Sequence, residues 1–327
     1  MSFSAIRSQG HAVNLLKSCM ESGNLACSYL FSGPEATGKA VAARVFAKAL
    51  NCLAESRESA LDSCDQCASC LKIEKGQHPD VRVIESVEAQ EFSDSGTIKI
   101  EDIRQLQKEI ILKPYEGRKK VFIINNAHNL TAEGQNALLK VLEEPPKNSL
   151  IILVSSRPGL LFKTIISRCR IVKFSVMPRQ ELAGILHSDY GIDEEYAHFL
   201  AWFCEGRLGA ALAIKDGDIF REKNRIIDGF INKNKPLPQE AEEKEALRLY
   251  LRILSTWLRD IYLVKSGLDP VELVHADRKE LVIQSGERYT FSELDEALEL
   301  CSNSILYLEQ NVNLKLLSSC IKGFMKG

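Results

Sequence analysis

Apolar and polar positions change period once along the chain, and the change divides it. In the first half, short and nearly continuous apolar runs recur: SYLFS (Ser28 to Ser32), VRVI (Val81 to Ile84), KVFIIN (Lys120 to Asn125), LIILVS (Leu150 to Ser155) and RIVKF (Arg170 to Phe174). Runs of this length without strict alternation predict strands covered on both faces. Helical patterns lie between them. Lys39 to Leu50 places Val41, Val45 and Ala49 on one face, and Thr131 to Leu142 stops before the breaker Pro145-Pro146. Strand and helix in alternation predict a parallel sheet with helices on both sides. After Met177-Pro178 the strand pattern ends. Gln180 to about Ile231 reads as short helices, Asn232 to Glu245 as a polar, proline-containing linker, and ALRLYLRILSTWLRDIYLV and SELDEALELCSNSILYLEQNVNLKLLSSCIKGF as long amphipathic helices. No internal repeat or low-complexity tract interrupts this order.

The 327 residues suffice for two or three domains with their own cores. A formal net charge of −2 excludes a molecule-wide basic field, so any nucleic-acid contact is a local surface. The N-terminal MSFSAIRSQGHAVNLLKSCM lacks a basic segment followed by a long apolar run, and no stretch reaches the roughly 18 apolar residues of a membrane span. A cytoplasmic protein with no membrane association is therefore expected. In that compartment ten cysteines are metal ligands and small buried hydrophobes rather than a disulfide framework.

Two motifs carry chemistry. SGPEATGK, Ser32 to Lys39, follows a predicted strand and opens a predicted helix, the context a phosphate-binding loop requires. Gly33, Gly38 and Lys39 fit the pattern; a tight turn kept for packing is the rival reading. The position that should hold a Mg²⁺-ligating hydroxyl is Ala40. An NTPase also ends a later strand in two carboxylates, one supporting the metal and one polarising water. Here those positions are Asn125 and Asn126, and an amide has neither the charge nor the basicity. All three losses fall on hydrolysis. ATP or ADP could occupy such a loop without turnover.

The second motif is Cys52, Cys64, Cys67 and Cys70, C-x₁₁-C-x₂-C-x₂-C. Short C-x-x-C steps gather thiolates about a tetrahedral Zn²⁺, and four sulfurs leave no open position, so the site would be structural. Redox-active thiols and unliganded core cysteines are the alternatives. His78 reads as a packing or hydrogen-bonding residue rather than a ligand, and Cys19, Cys27 and Cys204 as buried thiols.

Together YLFSGPEATGK, the cysteine cluster, KKVFIINNAHNLTAEGQNALLKVLEEPP, LIILVSS and TIISRCR make the chain resemble the AAA+ clamp-loader subunits of bacterial replication over roughly residues 1 to 215. NVNLKLL, Asn311 to Leu317, resembles the last helix of that family's collar. The resemblance implies an α/β AAA+ P-loop module with a parallel five-stranded sheet at 1–176, holding a zinc insertion at about 51–72. A helical lid at 177–232 and an all-α collar at 243–327 would follow. It also implies a hetero-oligomeric ring with tau/gamma and delta subunits, acting on a sliding clamp and on primed DNA through the complex.

Of the family's two branches, the losses at Ala40, Asn125 and Asn126 favour the delta prime type, without intrinsic ATPase, over the ATP-hydrolysing tau/gamma type. Gly209 stands where active members carry a sensing arginine, with Arg207 two residues earlier as a possible substitute. The Ser-Arg-Cys motif falls on Ser167, Arg168 and Cys169, so Arg168 is implied as an arginine finger completing a neighbour's ATP site. Its rival is a salt-bridged surface arginine. Ser155 lies at or next to the phosphate-sensing position, or is a plain strand-terminal serine. Arg104 and Lys108 are candidate DNA contacts, or a solvated face. A stand-alone zinc-containing DNA-binding module is the alternative from another class.

Overall fold

The computed structural model describes residues 1–54, 61–85, 96–232, 244–267 and 272–310. Most of the expected linker, part of the insertion at 51–72, and NVNLKLL lie outside the described residues. The chain divides into two compact units, Met1–Val176 and Met177–Gly327.

The first unit is built on five parallel strands, β1 (Ser28–Ser32), β2 (Val81–Ile84), β3 (Lys120–Ile124), β4 (Ser149–Ser155) and β5 (Arg170–Lys173), in the order β2-β3-β4-β1-β5. β1 thus lies between β4 and the edge strand β5, registered Ser32↔Ser155 with β4 and Tyr29↔Arg170 with β5. Because side chains alternate along a strand, each apolar run feeds two cores. Tyr29, Phe31, Val121, Ile123, Leu150, Ile152 and Val154 face helices α1 (Gly10–Glu21), α2 (Lys39–Asn51) and α3 (Ala68–Glu74). Leu30, Phe122, Ile124, Ile151 and Leu153 face α4 (Ile100–Ile110), α5 (Ala132–Glu143) and α6 (Lys163–Ile166). This is the five-stranded parallel sheet covered by helices on both faces that the sequence pattern predicts.

Local chemistry sets the helix ends. Thr131 caps α5 by accepting the Gly134 N–H at 3.1 Å. Pro145 ends it, since the residue before a proline is pushed out of the helical region, and Glu144 sits at φ −126°, ψ 67°. On α2 the expected buried face is only partly right. Val45 and Ala49 are buried, but Val41 is 41% exposed. The helix rests on Ala43, Phe46, Ala47 and Leu50, whose small residues let it lie close to the sheet, and Val41 points the opposite way.

The second unit is helical: α7 (Arg179–Tyr190), α8 (Glu194–Phe203), α9 (Leu208–Ile214), α10 (Ile219–Ile231), α11 (Lys244–Lys265), α12 (Lys279–Arg288) and α13 (Phe291–Glu309). Leu186, Phe199, Leu200 and Ile227 share one core with Leu251, Trp257, Ile261, Val282 and Leu294. The segments expected as lid and collar therefore pack on common apolar side chains.

Candidate functional site

The loop after β1 is shaped by its glycines. Gly33 sits at φ +155°, and a Cβ there would lie 2.2 Å from the Phe174 carbonyl oxygen. Gly38 takes a left-handed φ of +88° and passes the chain into α2, whose N-terminus thus opens directly after the loop. Lys39 is buried. Its ammonium donates to the Gly33 carbonyl at 2.7 Å and to the Pro34 carbonyl, while Thr37 Oγ1 donates to Pro34 O at 2.8 Å. Ala40 adds only a methyl group beside this cradle. β3 brings Asn125 and Asn126 to the same end of the sheet. The Asn125 N–H donates to Ile84 O at 2.9 Å, and Asn126 adopts a left-handed φ of 48°, which asparagine tolerates better than most residues.

Ser155 ends β4 opposite Ser32 and is fully buried. Its hydroxyl lies 3.2 Å from His128 Nδ1 and accepts the Arg157 N–H at 3.2 Å. His128 was not singled out in the sequence; its only signal is its place two residues beyond the Asn pair. In the second unit Gly209 is the second residue of α9, and Arg207 precedes the helix, donating from Nε to Cys204 O at 2.9 Å and pairing with Glu205 at 3.5 Å.

The four cysteines converge. Cys52 follows α2, Cys67 caps α3 and Cys70 lies within it, and the Sγ atoms of Cys52, Cys64, Cys67 and Cys70 all lie within 4.8 Å of one another. Four Zn–S bonds of about 2.3 Å in tetrahedral array need sulfurs about 3.8 Å apart; Cys64 and Cys70 are 4.0 Å apart. Backbone N–H groups of Gln66 and Cys67 hold the Cys64 thiol down at about 6, whereas burial pushes Cys70 up. This set could hold a metal ion. His78 is buried elsewhere in its bonding: Nδ1 accepts the Asp80 N–H at 3.1 Å, and burial pulls its pKa down.

Lys48 of α2, 1% exposed, ties the cysteine segment down. Its ammonium reaches Asp65 at 2.5 Å and Glu74 at 2.7 Å. Burial works against that charge, but the two carboxylates outweigh it, and Asp65 is held at about 2.

Arg168 follows α6 and precedes β5. Its carbonyl accepts from Ser28 Oγ at 2.6 Å, Nη1 donates to Thr164 O at 2.9 Å, and Nη2 pairs with Glu143 at 2.9 Å. Burial pushes the neighbouring Cys169 thiol up to about 11. Ser28 begins β1 and Gly33 follows its end, so Arg168 and the loop are separated by five residues of strand, roughly 16 Å. On α4, Arg104 and Lys108 are exposed one turn apart, without ion-pair partners among the described residues.

Residues 8–178 match the family described as DNA polymerase III, delta subunit, and residues 234–319 match its C-terminal counterpart. The chain belongs to the DNA polymerase III delta subunit family. Among relatives of this chain, the DNA polymerase III subunit delta' of Bacillus subtilis is 26% identical over 314 residues, covering 95% of this chain and 88% of its own. The B. subtilis tau subunit is 30% identical over 285 residues, 83% of this chain but 48% of its own, so the chain spans about half of that relative. A solved gamma subunit-related protein from Thermotoga maritima aligns over 96% of this chain and 98% of its own with a TM-score of 0.46 and 19% identity. No helix among the described residues of the delta-family chain is long and apolar enough to cross a membrane.

Proposed function

We infer that this chain is a clamp-loader subunit of the delta prime kind, which does not hydrolyse ATP itself but completes the ATP site of a neighbour with Arg168. Its place would be a hetero-oligomeric ring with tau/gamma and delta subunits that opens a sliding clamp and sets it on primed DNA. A structural Zn²⁺ on Cys52, Cys64, Cys67 and Cys70 would steady the module. Gly33, Gly38 and Lys39 would hold ATP or ADP, if at all, as a static ligand.

One observation carries this reading. The phosphate loop and the arginine lie at opposite ends of β1, roughly 16 Å of strand apart, beyond the reach of a single arginine side chain. Arg168 therefore cannot serve its own loop, which supports a neighbour's site as the place where its guanidinium would act. The loop meanwhile lacks a hydroxyl at Ala40 and carboxylates at Asn125 and Asn126, which supports the absence of turnover. A guanidinium suits charge developing on phosphate oxygens, and such fingers contribute roughly 10³ to 10⁵ in rate.

The second reading, an active ATPase of the tau/gamma type, is favoured by the higher identity to the tau relative. Steady-state turnover separates the two. The isolated chain is expected to release no phosphate above a Lys39→Ala control, and Arg168→Ala is expected to leave the chain folded while lowering ATPase of the reconstituted complex by roughly tenfold or more. Lysine-dependent turnover by the isolated chain would favour the second reading. Complex ATPase and clamp loading unaltered by Arg168→Ala would remove the finger.

A further inference from the structure

Arg168 is held by one near neighbour in sequence, Thr164, and by two distant ones, Ser28 and Glu143. Ser28 at the start of β1 fixes its carbonyl, Thr164 in α6 takes one guanidinium nitrogen, and Glu143 takes the other at 2.9 Å. Glu143 is the last residue of α5, and the helix stops there because Glu144, the residue before Pro145, is turned out of the helical region. A guanidinium carries five N–H donors in a rigid plane. Thr164 and Glu143 engage the two terminal nitrogens, and the other N–H groups have no partner among the described residues. The head group is thus held through both terminal nitrogens, while the side chain keeps 36% of its surface exposed.

Stability alone does not account for the pair. The Glu143 side chain is 51% exposed and that of Arg168 36% exposed, and an ion pair that accessible to water contributes little to folding. A long, flexible side chain pointing into solvent would sample many rotamers, whereas one anchored at both ends of its head group samples few. We propose that Glu143 is the positioning residue of Arg168, orienting its guanidinium so that the unengaged N–H groups face the phosphate oxygens of a nucleotide bound by an adjacent subunit. This rests on Arg168 acting at a neighbour's site. Glu143 itself touches no nucleotide; it acts through the arginine. Because α5 begins at Ala132, capped by Thr131 a few residues beyond Asn125 and Asn126, one helix runs from the residues that follow the Asn pair to the arginine's partner Glu143.

The test uses full-length chains in the reconstituted complex, with assembly checked by gel filtration and folding by thermal melting. Glu143→Ala is expected to lower kcat of the complex ATPase about tenfold with KM for ATP unchanged, since misplacing a group that acts in the transition state costs rate rather than ground-state binding. Glu143→Asp should recover part of the loss, a rescue that a merely structural role would not give. In an Arg168→Ala background, Glu143→Ala should cause no further drop. Glu143→Ala with kcat unchanged or raised, while Arg168→Ala lowers it, overturns the positioning role and leaves the finger standing. Additive losses in the double variant also overturn it. No effect of Arg168→Ala removes the finger itself, and the proposal with it.

Discussion

At the scale of single residues, the second unit holds a carboxylate where water cannot reach it. Asp260 on α11 is fully buried, and burial pushes its carboxyl up to about 6, although the backbone N–H groups of His275 and Val274 pull it down. One of its oxygens accepts the His275 N–H at 2.8 Å, while the other lies 3.7 Å from Arg259 Nη2, too far for a hydrogen bond. Below about pH 4 the carboxyl is protonated in both folded and unfolded chains. Between about pH 4 and 6 the unfolded chain ionises first, so stability falls as pH rises through that window and stays reduced above it. His275 works in the opposite direction. Burial drives its pKa well below the usual value, so the folded chain resists its protonation and stability falls as pH drops below about 6.5. Asp260→Asn keeps an acceptor for His275 and deletes the charge. It should stabilise the chain at pH 7.5 by about 1–3 kcal/mol, with the gain vanishing near pH 4. Denaturant titrations of both proteins at the two pH values check this, and an equal difference at both would refute it.

At the scale of elements, α2 links the two motifs. It starts with Lys39 at the phosphate loop and ends at Asn51, immediately before Cys52, and α3 opens on Cys67 and carries Cys70. A metal on these sulfurs would staple the far end of α2 to α3. Purified protein should therefore contain about one equivalent of zinc, and chelation should cost about 3 kcal/mol or more of stability, a drop in midpoint of roughly 6–12 °C. Metal analysis below about half an equivalent, or a melt indifferent to chelator, would count against the site. The sheet was legible in the sequence because five apolar runs sit between helical repeats, and the cysteines because their spacing is short-range. Lys48 was not legible. Within α2 it reads as a polar residue on a solvated face, and it is buried only because Asp65 and Glu74, 17 and 26 residues further on, fold over it. Glu143 was hidden for the same reason, since its partner lies 25 residues away across another helix and strand. Val41 failed because apolar spacing alone does not say which side of a helix meets the sheet.

At the scale of the whole molecule, each of the two units carries its own apolar core. Unfolding of the full chain should then depart from a single two-state transition. Scanning calorimetry is expected to resolve two components, with chelator lowering the one that belongs to Met1–Val176 and Asp260→Asn raising the other at pH 7.5. A single sharp transition moved as a whole by both treatments would mean that the units unfold as one.

The two glycines of the phosphate loop are not equal witnesses to its history. Gly38 needs only its positive φ, with open space where a Cβ would stand, whereas Gly33 has the Phe174 carbonyl 2.2 Å from that point. A library of variants selected for nothing but a folded chain would still retain glycine at 33. Part of the motif is thus kept for a reason independent of nucleotide, because the neighbouring backbone after β5 leaves room for nothing larger at that position.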